Sequence, residues 1–469
     1  MIDLMQEGKR IMNEGRAAPI HLHLDDRFYR RVEAAEFPKH TLRWRNDRAA
    51  ASVGLDGLDD SAWVDHFGKF TPLAGNIETP LALCYHGHQF GHYNPDLGDG
   101  RGFLFAQLRA DDGRILDLGT KGSGQTPFSR TADGRLTLKG AVREILATEL
   151  LEALGVNTSK TFSVIETGEA LDRHDEPSPT RAAVLVRLSH GHIRIGSFQR
   201  LRYLDDAEGV ETLLRHAARH HFADDLDAEA AIADLAPRFL AQVAARIADT
   251  AGSWLAAGFV HGVLNTDNFN ITGESFDYGP WRFLANFDPQ FVAAYFDHAG
   301  RYAYGRQAEA SLWAVCRFAD CLTPFGGAAP LEEVLQDFYP KLEDALQRQV
   351  CWRLGISASP EQGQQLVKHL FAAARTSQTG YAQILHDWYG GTCRRGSYDG
   401  DVWQAFADSL KGTSALPQAG HAAFDRDRPE DLPIETVEAL WAPIAEADDW
   451  QPLYEKIEMI RRWGEALRG

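Results

Sequence analysis

The stretch that decides the fold is His261-Gly262-Val263-Leu264-Asn265-Thr266-Asp267-Asn268, followed a little later by Asp277-Tyr278-Gly279. A run of polar side chains inside an otherwise apolar, helical region is rarely only core. Each polar group taken out of water needs a partner, so such a run usually has work to do. Asn268 and Asp277 are hard oxygen donors of the kind that hold Mg²⁺ while it also touches substrate phosphates. Asp267 stands beside them and can accept a proton.

The same run is similar to the His-Gly-Asp-Leu-x-x-x-Asn pattern of small-molecule kinases with the protein-kinase fold, in which a later Asp binds metal. His261, Gly262, Leu264 and Asn268 align with it. The position of the kinase base is Val263, and a valine cannot accept a proton. An acid stands instead at Asp267.

Upstream, the segment Thr120-Lys121-Gly122-Ser123-Gly124-Gln125-Thr126-Pro127-Phe128-Ser129-Arg130 follows a short apolar run, Ile115 to Leu118. Lys121 at a strand end can hold a phosphate as a point charge, and the glycines and hydroxyls after it make a donor-rich loop. The spacing GxxxxGK[ST] is absent, so this is no P-loop. The plain alternative is a surface lysine. Glu144 falls on the next helix, Leu138 to Leu154, whose apolar stripe is Val142, Ile145, Leu146, Leu150 and Leu154. Glu144 lies off that stripe, so periodicity alone leaves it facing solvent. In a kinase-like lobe a helix carboxylate in this order pairs with the strand lysine and aims it at phosphates.

Further candidates complete the set. Gly98, Gly100 and Gly102 flank Asp99 and Arg101 in LGDGRG, a pattern that brings backbone amides and a guanidinium to an anion but equally makes a hairpin turn. Arg187 and Arg194 lie in VLVRLSHGHIRIGSFQ, read as an apolar strand, where arginine is costly unless an anion or a carboxylate satisfies it. His86, His88 and His92, and the pair His216 and His220, have no third ligand at a familiar metal-site spacing. The first set is read as shaping a loop wall, the second as sitting at a helix end.

Composition bounds the function. The chain has 469 residues, 44% hydrophobic and 24% charged, and a formal net charge of −18. That charge disfavours nonspecific nucleic-acid binding and anionic membrane surfaces but allows a local basic pocket. The five cysteines are scattered without a CxxC, which fits a reducing compartment. The N-terminal residues lack the apolar core of a secretory signal, and no long uncharged apolar stretch occurs. A soluble, cytoplasmic protein is expected.

The order of elements is α+β. Strands are expected at Phe103–Leu108, Ile115–Leu118 and Ala182–Leu188, and mostly helix from Val210 onward, including 230–260 and 308–322. A small hairpin is expected to pair Phe269–Thr272 with Trp281–Leu284 around Asp277. Residues 405–435 read as loop-rich, and 434–467 as helical. A strand-rich part and a helical part with a cleft between them satisfy this order.

Seven stretches then carry a resemblance: YHGHQFGHYNPDLGDGR, TKGSGQTPFSRTADGR, VREILATELLEALGV, SHGHIRIGSFQ, HGVLNTDNFNI, DYGP and GRYAYG, spanning Tyr85 to Gly305. The sequence resembles the selenoprotein O family of kinase-like protein adenylyltransferases. Residues before 75 and after about 330 resemble it only weakly. The resemblance implies a protein-kinase-like two-lobe fold that binds ATP flipped and transfers AMP to Ser, Thr or Tyr hydroxyls of proteins, with self-modification as one outcome. It implies an N-terminal extension at 1–75, an N-lobe with the nucleotide pocket at 76–200, a helical C-lobe with the catalytic site at 201–345 and a C-terminal helical region at 346–469. Carried over, Asp267 is the catalytic base, and Asn268 and Asp277 hold Mg²⁺ or Mn²⁺. Gly98, Gly100, Arg101, Lys121, Asp133, Gly134, Arg187, Arg194 and Asp277 bind the nucleotide, and Glu144 pairs with Lys121. No nucleic acid or membrane partner is implied. UMP transfer, a conventional kinase and a silent nucleotide-binding pseudokinase are the alternatives.

The chain departs from the family pattern at four places. His86 replaces the usual Ala, and Gly191 the usual Ser. Trp281 stands after DYGP where many members carry cysteine. The family's C-terminal cysteine or selenocysteine has no counterpart in the closing EALRG. Regulation by a disulfide between those two positions is therefore not expected.

Overall fold

The computed structural model describes residues 15–173 and 176–469. The N-terminal residues read above for a secretory signal lie outside the described residues, as does the start of the 1–75 segment. The described chain is a mixed α and β structure built on one antiparallel sheet.

The strands, in chain order, are β1 (Tyr29–Arg31), β2 (Thr41–Arg45), β3 (Leu81–Leu83), β4 (Gly87–Gln89), β5 (His92–Asn94), β6 (Leu104–Arg109), β7 (Ile115–Lys121), β8 (Leu136–Thr137), β9 (Lys160–Leu171) and β10 (Thr180–Ser189). The main sheet has eight strands in the order β1-β3-β6-β7-β10-β9-β2, with β8 on β10. β4 and β5 form a separate hairpin. Both edge strands come from residues before 75. The sequence pattern found β6, β7 and β10 but missed β9, the longest strand. Its Glu166, Thr167 and Glu169 obscure an otherwise buried apolar run.

The helix α1 (Leu138–Ala153) lies against β9 and β10. Thr137 caps it by accepting from the Gly140 amide at 3.1 Å, and Gly155, at φ 77°, lets the chain turn away after it. Its stripe of Val142, Ile145, Leu146, Leu150 and Leu154 is buried in the larger hydrophobic core. A second core fills the other side of the sheet, where Trp63 and Phe67 of the helix Asp60–Phe67 pack on Phe105 and Phe162.

Beyond the sheet the chain is helical: α2 (Ile195–Tyr203), α3 (Ala207–His221), α4 (Ile232–Ala257), α5 (Gln307–Leu322), α6 (Phe338–Arg353), α7 (Pro360–Ala374), α8 (Ile434–Ala447) and α9 (Gln451–Arg468). Three local expectations are corrected. Trp281–Leu284 does not pair with Phe269–Thr272. Arg282–Phe283 pairs instead with Phe259–Val260, while Asn270 bridges to Arg194. Short apolar runs look alike in sequence, and only three-dimensional packing chooses between them. The final helical stretch is two helices, because Asp448 adopts a left-handed backbone, φ 54°, between them. Arg194 is not on a strand. It occupies the N-cap position of α2, and it is only β10 that carries Arg187.

Candidate active site

The end of β7 delivers Lys121 into a buried group of charges. Its Nζ lies 2.7 Å from Glu144 Oε2 on α1 and 3.1 Å from Asp277 Oδ1. On the neighbouring strand β10, Arg187 stands opposite Gly119. Its Nη2 lies 3.3 Å from Asp277 Oδ1 and 3.5 Å from Glu144 Oε1. Glu144 is 1% exposed, so it faces this cluster and not solvent. Among the described residues, Arg187 Nε and Nη1 and Glu144 Oε1 have no hydrogen-bond partner. A buried guanidinium with unused donors has the capacity to hold an anion.

Asp277 occupies a left-handed backbone conformation, φ 61°, unusual for a residue other than glycine. Burial opposes its ionisation, but Lys121, Arg187, Arg194 and Arg101 outweigh that and hold its carboxyl well below the usual range. Burial likewise works against the charge of Arg187, and Glu144 and Asp277 overcome it, so its guanidinium is held more firmly protonated.

Arg194 ties the second half of the site together. Its Nη1 donates to the Asp267 carbonyl at 2.8 Å and its Nη2 pairs with Asp99 Oδ1 at 3.3 Å. Its guanidinium lies over the rings of Tyr85, at 4.4 Å, and Phe276, at 4.8 Å. Asp99 is fixed in turn by the Leu83 amide at 3.0 Å. Asp99, Tyr85 and Phe276 were not singled out from sequence. The one signal for Asp99 was a lone acid between two glycines.

Asp267 sits in a short 3₁₀ turn, Thr266–Asn268. It is packed so closely on Gly87 that a Cβ there would lie 2.9 Å from its Oδ1. Among the described residues that buried Oδ1 has no hydrogen-bond partner. Burial pushes the Asp267 carboxyl up to about 6, against the opposing pull of Arg194. Asn268 donates Nδ2 to the Val263 carbonyl at 3.0 Å, which orients its amide oxygen the other way.

The loop of Gly98, Gly100 and Arg101 is clasped to the loop after Lys121. Thr126 Oγ1 donates to the Asp99 carbonyl at 2.5 Å, Ser129 Oγ to the Gly100 carbonyl at 2.6 Å, and the Gly122 amide to the Arg101 carbonyl at 2.7 Å. Glycine is required by the closeness of this contact. A Cβ at Gly98 would fall 2.3 Å from the Phe128 ring, and one at Gly102 only 2.0 Å from the Thr120 carbonyl oxygen. Gly134 packs on Gly124 of the same loop, whose amide it accepts at 3.2 Å. Asp133 is engaged elsewhere, with Arg173 at 2.8 Å and the Arg135 amide at 3.0 Å, and does not touch the charged cluster.

The histidines are otherwise employed. His86 meets Tyr93 OH of β5 at 2.8 Å, and His88 meets Gln199 Nε2 at 2.9 Å, so His88 braces the β4–β5 hairpin against α2. His216 and His220 lie towards the end of α3, with rings 4.7 Å apart. Trp281 is a core residue at 1% exposure, with Arg143 stacked on it at 4.8 Å.

Comparison with known proteins gives the family. The sequence profile of the family described as protein adenylyltransferase SelO matches residues 15–395, well beyond the motif-bearing stretch on both sides. The protein nucleotidyltransferase YdiU of Synechococcus elongatus is 42% identical over 486 aligned residues, covering 95% of this chain and 94% of that one. The protein of the same name from Gloeobacter violaceus is 41% identical, covering 95% and 94%. The one from Vibrio cholerae is 35% identical, covering 78% and 74%. With matches of this length and identity, the chain belongs to the protein adenylyltransferase SelO family.

Proposed function

We propose that this nucleotidyltransferase moves AMP from ATP to Ser, Thr or Tyr hydroxyls of proteins, its own included. ATP lies flipped, relative to a kinase, in a cleft of a kinase-like fold. The strand-rich lobe is 76–200, with β1 and β2 of the 1–75 segment at its sheet edges, and the helical lobe is 201–345, followed by 346–469. The observation that carries this reading is the pairing of two unlike sites. One is a buried Lys121, Arg187, Glu144 and Asp277 cluster with unused cationic donors. The other is Asp267, whose Oδ1 has no hydrogen-bond partner among the described residues and whose carboxyl is pushed up to about 6 by burial.

In the reaction the acceptor hydroxyl oxygen attacks the α-phosphorus, the bond to the β-phosphate oxygen breaks, and pyrophosphate leaves. Asp267 takes the hydroxyl proton. A carboxyl with a pKa near 6 suits this, since it is mostly ionised at neutral pH yet basic enough to accept. Lys121, Arg187 and Arg194 stabilise charge on the phosphates, and Glu144 aims Lys121. Gly98, Gly100, Arg101 and Gly134 line the nucleotide pocket, while Asp133, held by Arg173, stands apart from the charged cluster. Val263, which cannot act as base, disfavours the conventional kinase chemistry.

The donor set at Asn268 and Asp277, one amide oxygen and one carboxylate kept ionised, fits Mg²⁺ or Mn²⁺. These two residues would hold the ion, which when bound neutralises phosphate charge. The decisive experiment is intact-protein mass spectrometry after incubation with ATP and either ion. A gain of AMP is expected. A gain of phosphate alone, or retention of label only from γ-labelled ATP, would overturn the reading.

A further inference from the structure

We propose that Arg461 on α9 is a positioning residue for the Lys121–Glu144 pair, acting through Glu149. The proposal rests on the reading of that pair as nucleotide-binding.

Glu144 and Glu149 share α1 but point to different sides of it. At about 100° per residue, a separation of five turns Glu149 by roughly 140° from Glu144. Glu144 therefore meets Lys121 and Arg187, while Glu149 faces the last helix. Glu149 is 4% exposed, yet it is fully engaged. Arg461 grips it with both arms of its fork, Nε to Oε2 at 2.8 Å and Nη2 to Oε1 at 2.7 Å. Arg48 adds a longer contact at 3.5 Å.

Arg461 is itself tied to the sheet edge. Its guanidinium lies 5.2 Å over the Trp44 ring of β2. Tyr454 of the same helix stacks on Trp44 at 6.4 Å and donates its hydroxyl to the Arg43 carbonyl at 2.6 Å. The two helices also touch backbone to backbone, since a Cβ on Gly464 would lie 2.8 Å from Ala153 Cα. Thus α9 joins β2 to the far side of α1, and α1 is pinned by charge on both sides. A helix moves as a unit, so releasing Glu149 loosens one of the contacts that set the position of α1, and with it that of Glu144. In kinase-like chemistry the lysine aims at phosphate only while its helix carboxylate is in place.

The test is a double-mutant cycle read by equilibrium binding of radiolabelled ATP with Mg²⁺. The proteins are the full chain, Arg461→Met, Glu144→Gln and the double variant, each with its thermal unfolding midpoint. Arg461→Met is expected to weaken ATP binding about tenfold in the parent and to have almost no further effect once Glu144 is changed. The fall in unfolding midpoint should be the same in both backgrounds. Arg461→Lys, which keeps the charge but not the fork, should recover part of the affinity, and it serves if Arg461→Met does not fold. Glu438→Gln removes an exposed contact of Lys139 with the same α1. It should leave ATP binding unchanged. An equal loss in both backgrounds, no loss in a folded Arg461 variant, or an equal loss in Glu438→Gln would overturn the proposal. The readout is ATP binding alone. A protein that binds ATP but forms no AMP adduct would therefore sink the transfer chemistry and leave this cycle intact, whereas one that binds no ATP sinks both.

Discussion

Lys121 Nζ meets Glu144 Oε2 at 2.7 Å in a place where both side chains are almost wholly out of water, 5% and 1% exposed. Buried charges of this kind add little net stability as a pair, but either one alone is costly. The pair is therefore better understood as a device that presents one ammonium in one direction.

Glu144→Gln should remove both that aim and a buried charge. Asp277 still faces Lys121 at 3.1 Å, so the cost should fall near the low end for breaking a buried pair, about 3 kcal/mol. Urea unfolding would measure it. A change within 0.5 kcal/mol, the scatter of surface substitutions, would contradict the buried pairing.

Asp277→Ala should abolish metal-dependent AMP transfer. The substitution removes a carboxylate that Lys121 and Arg187 keep ionised, and it leaves Glu144 to balance those two cations. Full transfer by this variant, assayed with α-labelled ATP, would remove Asp277 from the ion site.

Asp267→Asn should lose transfer while still binding ATP. In the parent, transfer should rise as pH increases through about 6, because the carboxyl must be ionised to take the proton and its pKa is raised to about 6. A profile flat from pH 5 to 8 would argue for a different base.

Stability should fall in mild acid for a separate reason. Burial pushes the imidazoles of His190 and His220 down to about 4 and that of His221 to about 3. These groups are neutral in the folded protein but protonate near 6.5 once unfolded. The unfolded state therefore binds more protons below 6.5. The stabilisation is fully present above that pH and drains away as pH falls towards 4, at up to roughly 1.4 kcal/mol per pH unit for a fully buried group. His221→Phe should flatten the fall in unfolding midpoint between pH 6.5 and 5, and an unchanged slope would exclude this cause.

Much of the candidate site is legible because the chemistry proposed for it needs scarce residue types at rigid offsets. The run from His261 to Asn268 and the DYG at 277–279 identify themselves, as does a lysine ending an apolar strand. What periodicity could not give was direction. Glu144 sits off an apolar stripe, which reads as solvent, yet the surface it faces is filled by Lys121 and Arg187 from other strands. Arg194 looked like a strand residue, and its N-cap position depends on the turn at Gly191, φ 89°. The partners Asp99, Tyr85 and Phe276 had no periodic signal, since loop residues acquire their roles only by what folds against them.

The linear sequence by itself determined the α+β order, the family and the identity of the chemical groups, because these depend on composition, spacing and short local patterns. The tertiary structure alone decided which of those groups meet. Strands from before residue 75 close both edges of the sheet, the last helix grips Glu149 on the far side of α1, and Lys121 and Arg187 each meet both Glu144 and Asp277. Such contacts arise from burial and charge balance between distant segments, and no local pattern carries that information.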